Sequence, residues 1–151
     1  MSSNSLEKGL AFAYRILARR ARTEKQMRDA LLHRQFTGEV VEKVVAELKN
    51  KGYLNDRQFT RDYIDFRLRG KPYGPLWLRA SLLRLGVERE IIEEELQTVF
   101  TGDKETELAQ LFLAQIKSTV NSREKAFRRL RSRGFSVSTA QKVLENIDEL
   151  K

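Results

Sequence analysis

Three segments of the chain align on one another: TEKQMRDALLHRQF at 23–36, GPLWLRASLLRLGV at 74–87 and SREKAFRRLRSRGF at 122–135, at offsets of 51 and 48 residues. Each opens on a residue suited to a helix N-cap, Thr23, Gly74 or Ser122. Apolar residues follow four and eight positions on: Met27 and Leu31, Leu78 and Leu82, Ala126 and Leu130. Each segment then reaches a stop at Gln35, Gly86 or Gly134. Glycine enters the left-handed conformation of a helix stop freely, and glutamine there costs about 1 kcal/mol. An apolar residue comes next, Phe36, Val87 or Phe135, and then a stretch rich in Val, Ile and Leu. A unit of this size cannot bury its own apolar face. Repetition therefore commits the chain to a stack of helical units that cover one another.

Helical spacing runs through the rest of the sequence. Leu10, Tyr14, Leu17 and Ala21 fall at i, i+4, i+7 and i+11, and Phe59, Tyr63 and Phe66 repeat that interval. Val40, Val44, Val45 and Leu48 mark another apolar stripe. Strand-like alternation is nowhere sustained, so the expected fold is all-α, with three helices in each repeat. The first unit, 1–52, is expected to hold helices at 6–21, 23–34 and 38–50. The second, 53–101, holds 56–69, 75–85 and 88–100, and the third, 102–151, holds 103–119, 123–133 and 137–149.

Both prolines lie in RGKPYGP, residues 69–75. Gly70 ends one helix, Pro72 bars helix at the residue before it, and Gly74 caps the next. Pro75 takes the first helical position, where its missing N–H is no loss. Tyr73 and Leu78 then form a hydrophobic-staple pair. In LNDRQF (54–59), Asn55 is the cap, Gln58 answers it from the third position, and Leu54 staples to Phe59.

The chain of 151 residues has no cysteine, so neither a disulfide nor a thiolate metal site is available. No apolar run approaches membrane-spanning length, and the opening MSSNSLEKG lacks the apolar stretch of a signal peptide. The expected compartment is the cytoplasm. Charged residues make up 33% of the chain, and the net charge is +8. Residues 1–51 carry +5, 52–101 carry 0 and 102–151 carry +3. Such a surplus favours a polyanionic partner, nucleic acid above all.

Catalysis finds no support. A phosphate loop needs GxxxxGK[ST] between a strand and a helix, and RGKPYGP has neither the spacing nor the strand. His33, the single histidine, sits late in a helix, where a cation suits the dipole. In EREIIEEELQ (88–97) the consecutive Glu93, Glu94 and Glu95 fan around a helix instead of converging on a metal, and a solvated face is expected. Spacing nominates no catalytic triad, no paired carboxylates and no cofactor.

The chemistry that stands out is basic. Arg15, Arg19 and Arg22 are expected along one helix face with Arg20 beside them, and Arg57 and Arg61 share another face. Arg67, Arg69 and Lys71 lead into the proline turn, and Arg79 and Arg84 follow it. The densest cluster is KAFRRLRSR, where Lys125, Arg129 and Arg133 share a face and Arg128 and Arg131 another, with Arg123 just ahead. Arginine forks grip phosphate or carboxylate through paired hydrogen bonds. Some pair internally, Arg61 with Asp65 and Glu24 with Arg28 being at i, i+4. The remainder define a candidate polyanion surface. Trp77, which lies with Tyr73 near the proline turn, is a candidate for partner contact.

The succession AYRILARRARTEKQMRDAL, KGYLNDRQF and RGKPYGPLWLRASLLRLGV resembles the RecX family, bacterial regulators of the RecA recombinase. The resemblance covers nearly the whole chain and is strongest from Leu10 to Val87. Asn55 stands where the family usually has Asp, and Pro72 adds a residue to a KGYGP-like turn. The resemblance implies three tandem three-helix repeats in an elongated, curved stack. It implies a non-enzymatic protein of DNA repair, recombination and the SOS response. Such a protein binds RecA filaments on single-stranded DNA, inhibits the recombinase's ATPase, strand-exchange and co-protease activities, and limits filament growth. Weak direct DNA binding and a monomeric chain complete the expected partners. The competing reading is a plain DNA-binding protein that uses its basic helical units on duplex or single-stranded DNA.

Overall fold

A computed structural model of the chain describes residues 3–145 and 147. The secondary structure among the described residues is entirely helical. The helices are α1 (Ser3–Leu17), α2 (Glu24–His33), α3 (Gly38–Asn50), α4 (Asp56–Gly70), α5 (Pro75–Arg84), α6 (Arg89–Val99), α7 (Lys104–Ile116), α8 (Arg123–Ser132) and α9 (Val137–Glu145). They build three three-helix units, in each of which the third helix packs on the first and the second.

Against the expectation that a unit cannot bury its own apolar face, each unit has its own apolar core, because its third helix closes over the first two. The first centres on Ala13, Met27, Leu31, Val44 and Leu48, the second on Ile64, Leu78, Leu82, Ile92 and Leu96. Phe112, Ile116, Leu130, Phe135 and Leu144 form the third. Leu68 and Phe100 pack against both the second and third cores and join them.

The caps follow local chemistry. Thr23 Oγ1 accepts from Gln26 N at 3.1 Å while Gln26 Oε1 accepts from Thr23 N at 3.0 Å, a complete capping box. Asn55 Oδ1 accepts from Gln58 N at 3.0 Å and Ser122 Oγ from Lys125 N at 3.1 Å. Gly74 caps α5 with Pro75 following, and Tyr73 packs on the core that holds Leu78. Gln35 takes φ 71°, matching Gly86 at 92° and Gly134 at 97°.

Three local expectations are corrected. Gln58 does not return to its cap but donates Nε2 to Asp62. Leu54 packs into the first core while Phe59 packs on the second, so no staple joins them. And α1 stops at Leu17 rather than 21, because Thr23 must be extended (φ −80°, ψ 164°) to cap α2. The intervening residues turn the chain back. Residues 146 and 148–149 of the expected last helix lie outside the described residues.

The second helices join head to tail. Thr23 Oγ1, at the start of α2, donates to Leu85 O at the end of α5 at 2.6 Å. Gly74 N and Leu76 N, at the start of α5, donate to Arg133 O and Gly134 O at the end of α8, at 2.9 and 3.0 Å. These junctions allow no side chain at the stops. A Cβ on Gly86 would lie 2.3 Å from Lys25 Cβ, and one on Gly134 2.3 Å from Trp77 N. Gly74 is equally confined, 2.2 Å from Gly134 O. No hydrogen bond from another unit reaches Gln35 among the described residues, and its side chain is exposed. That is why the repeat can keep a glutamine at this one stop.

Candidate polyanion-binding surface

Packing divides the cations singled out in the sequence. Some are held by carboxylates. Arg57 donates to Glu95 at 2.8 Å and Glu94 at 2.6 Å, and Arg61 to Glu95 at 2.8 Å. Arg79 grips both oxygens of Glu93 at 2.5 and 2.8 Å. Arg69 pairs with Asp65, and Arg128 with Glu124. Others are held by main chain: Arg123 donates to Leu144 O and Ile147 O, and Arg131 to Phe135 O at 2.7 Å.

The acidic run is therefore not a solvated face. Glu95 is buried at 4% exposure between two guanidinium groups. The Arg61 hydrogen bond, followed by that from Arg57, holds its carboxyl below the ordinary range against the opposing effect of burial. Arg79 does the same for Glu93. These contacts bind α4 or α5 to α6 inside the second unit. The i, i+4 pair Arg28–Glu24 forms, at 3.6 Å, but Arg61 passes over Asp65 for Glu95.

Arg133 has a structural place too. Its guanidinium lies 4.9 Å from the Tyr73 ring and 4.4 Å from that of Phe112, bridging the second and third units. Lys125 and Arg129 remain exposed on α8.

Four cations without a carboxylate partner among the described residues, Arg15, Arg19, Arg20 and Arg22, lie at the turn from α1 to α2. Arg15 stands in the last turn of α1. Arg19, Arg20 and Arg22 follow in the turn itself, not on the helix face expected of them. Arg22 Nε is buried with no hydrogen-bond partner. Burial first, then the fields of Arg20 and Arg19, push its pKa down. Like charges crowded this way gain from any anion that comes between them. Arg67 and Lys71 extend the positive surface along α4 to the proline turn. Arg67 Nε is likewise buried and unpartnered, with the guanidinium 5.1 Å from the Tyr63 ring.

Sequence reading undervalued the aromatics. Phe66, counted into an apolar stripe, is 66% exposed. Phe59 and Tyr63 are only partly buried and stack at 6.1 Å, 16° from parallel. Tyr73 and Trp77 stack at 4.0 Å. The available signal was the arginine run at 67 and 69 on the same helix as the aromatic stripe, an interleaving unusual for a core-facing segment.

No helix among the described residues is long and apolar enough to cross a membrane. The fold and surface together define an all-α repeat protein that presents uncompensated arginines beside exposed aromatic rings. Residues 10–48 match the family model for the first three-helix domain of RecX, and residues 55–96 the model for its second. The chain belongs to the RecX family. It is 29% identical over 132 residues to the regulatory protein RecX of Caldanaerobacter subterraneus subsp. tengcongensis, covering 87% of this chain and 66% of that one. To the RecX of Clostridium beijerinckii it is 30% identical over 145 residues, with 89% and 66% covered. To that of Leuconostoc citreum it is 26% identical over 151 residues, with 96% and 56% covered. The chain thus spans between half and two thirds of these relatives' length. It is similar in fold to the crystal structure of a regulatory protein RecX (TM-score 0.82, 23% identity, 95% of this chain and 73% of that one). RecX from Lactobacillus salivarius superposes equally well (TM-score 0.82, 20% identity, 97% and 99% covered).

Proposed function

We propose that this protein binds RecA filaments on single-stranded DNA in the cytoplasm and restrains them without catalysis. It would inhibit the filament's ATPase, strand-exchange and co-protease activities and limit its growth. The observation that supports this reading is the arginine group at 19, 20 and 22, which has no carboxylate partner among the described residues, on the scaffold of a family of regulatory proteins. A filament repeats along its axis and carries the charge of its DNA. The three units, taken as 1–52, 53–101 and 102–151, would each add a modest contact, and contacts tethered in series strengthen one another. Binding that favours the assembled state over free subunits shifts the assembly equilibrium by that difference alone.

The test reverses Arg19, Arg20 and Arg22 together to Glu and measures binding to preformed filaments by anisotropy, at low and moderate salt. Affinity should fall and the salt dependence flatten, by about one unit of log–log slope for each phosphate no longer neutralised, with the circular dichroism unchanged. Unaltered affinity at low salt removes these residues from the interface. Exposed Lys125 and Arg129 are the second pair to reverse. Arg57, Arg61 and Arg79 are unsuited to the test, since reversing them would break the second unit's internal ion pairs.

A further inference from the structure

An open cleft of about 690 Å³ lies between the α1–α2 turn and helices α4 and α5. Its wall from α4 presents the stacked pair Phe59 and Tyr63, then Phe66. Arg20 closes one side and Arg84 another. Neither forms an ion pair among the described residues, and Arg84 reaches only Ser81 Oγ, at 3.3 Å. Arg67 runs between the rings, 5.9 Å from Phe66 and 5.8 Å from Trp77, with its buried Nε unpartnered. A shallower cleft of about 390 Å³ continues past Phe66 and Arg67 to Lys71 and Tyr73. The first cleft has one carboxylate in its wall, Asp62, which already accepts from Gln58.

Flat rings alternating with free cations suit a ligand that alternates flat rings with anions. We propose that this cleft binds single-stranded DNA, with an unstacked base resting on the exposed Phe66 ring and phosphates on Arg20, Arg67 and Arg84. Duplex DNA keeps its π faces inside its own stack and offers only phosphates. An acidic peptide would satisfy the arginines but leave the rings without a planar partner. The recognition is indifferent to base identity, because every base has a π face. The inference rests on the reading above only in taking a single strand as the partner. It concerns DNA alone, so it can fail while the filament reading stands.

The test needs no recombinase. A fluorescein-labelled oligothymidylate of about 12 nucleotides is titrated with the intact chain, beside an abasic strand of equal length. Wild type should prefer the thymidylate. Phe66→Ala should weaken thymidylate binding on the order of 10-fold and leave abasic binding unchanged, while Phe66→Trp restores it. Arg84→Ala should weaken both strands. Phe66 and Arg84 are exposed, so both variants should fold, and circular dichroism checks this. Equal affinity of wild type for the two strands, or a Phe66→Ala protein that binds thymidylate normally, overturns the proposal. So does an oligoglutamate whose binding is lost on Phe66→Ala while thymidylate binding is kept, which would assign the cleft to a peptide.

Discussion

Replacing Gly134 by alanine tests whether the units are joined through the ends of their second helices. Two effects act at this position. The first is backbone strain. At φ 97°, an L-residue loses about 1–2 kcal/mol relative to glycine. A stiffer unfolded chain returns about 0.4–1 kcal/mol of that. Gly52→Ala isolates this effect, because Gly52 has φ 82° and open space around its Cβ position. It should cost about 1 kcal/mol. The second effect exists only at Gly134. A Cβ there meets Trp77 N at 2.3 Å and Trp77 Cβ at 2.4 Å, so α5 must retreat from α8. Retreat breaks the bonds from Gly74 N to Arg133 O and from Leu76 N to Gly134 O. Each contributes about 0.5–1.5 kcal/mol net, which brings the total for Gly134→Ala to about 3 kcal/mol. Urea unfolding followed by circular dichroism reads the stability. Fluorescence of Trp77, the chain's single tryptophan, reads the junction itself. A shift in Trp77 emission should accompany Gly134→Ala and not Gly52→Ala. Equal losses from the two substitutions, with Trp77 undisturbed, would refute a tight junction.

Gln35→Gly relieves strain at the one stop that no other unit covers. It should raise stability by about 0.5–1 kcal/mol, or about 2 °C in Tm, and a fall in Tm would show that the glutamine side chain holds something. Glu95→Gln should destabilise the fold in a pH-dependent way. A carboxyl held below its ordinary value of 4.5 stabilises the fold while ionised, and that contribution disappears as pH falls through the lowered value. The difference between wild type and Glu95→Gln should therefore be full near pH 7 and shrink as pH falls below 4.5 and through the lowered value; a difference independent of pH argues against the ion pairs. Asp56 has the opposite sign. Burial, the leading cause, raises its pKa above 3.8, so its ionised form weighs against folding as pH rises through the raised value. Asparagine can still accept from Glu24 N, as Asp56 Oδ1 does at 3.0 Å. Asp56→Asn should then match or exceed wild-type stability near pH 7, and a clear loss in thermal melts would contradict this.

The repeat, its caps and its left-handed stops were legible because they are local. Thr23, Asn55 and Ser122 cap within three residues of themselves, and the conformation of Gln35 follows from its place in the aligned segments. What the sequence hid was set by packing between distant elements. Glu95 lies 34 residues from Arg61 and 38 from Arg57, so nothing in EREIIEEELQ announces a buried carboxylate. The glycines at 74, 86 and 134 already had local explanations as cap and stops, which masked their second task of admitting a neighbouring helix. The end of α1 was misplaced because apolar spacing continued through Ala21, while the position was decided by the extended backbone that Thr23 needs. Those few residues matter for the site, since they move Arg19 and Arg22 from a helix face into a turn. There they join Arg20, which lines the cleft walled by the α4 aromatics.

Filament regulation is put to the test by titrating RecA's ATPase on single-stranded DNA with this chain, at two salt concentrations. Inhibition is expected well below one copy per recombinase protomer, weakened at the higher salt and by reversal of Arg19, Arg20 and Arg22. Absence of inhibition, or inhibition only once the protein covers the DNA, would contradict filament regulation and favour simple competition for the strand.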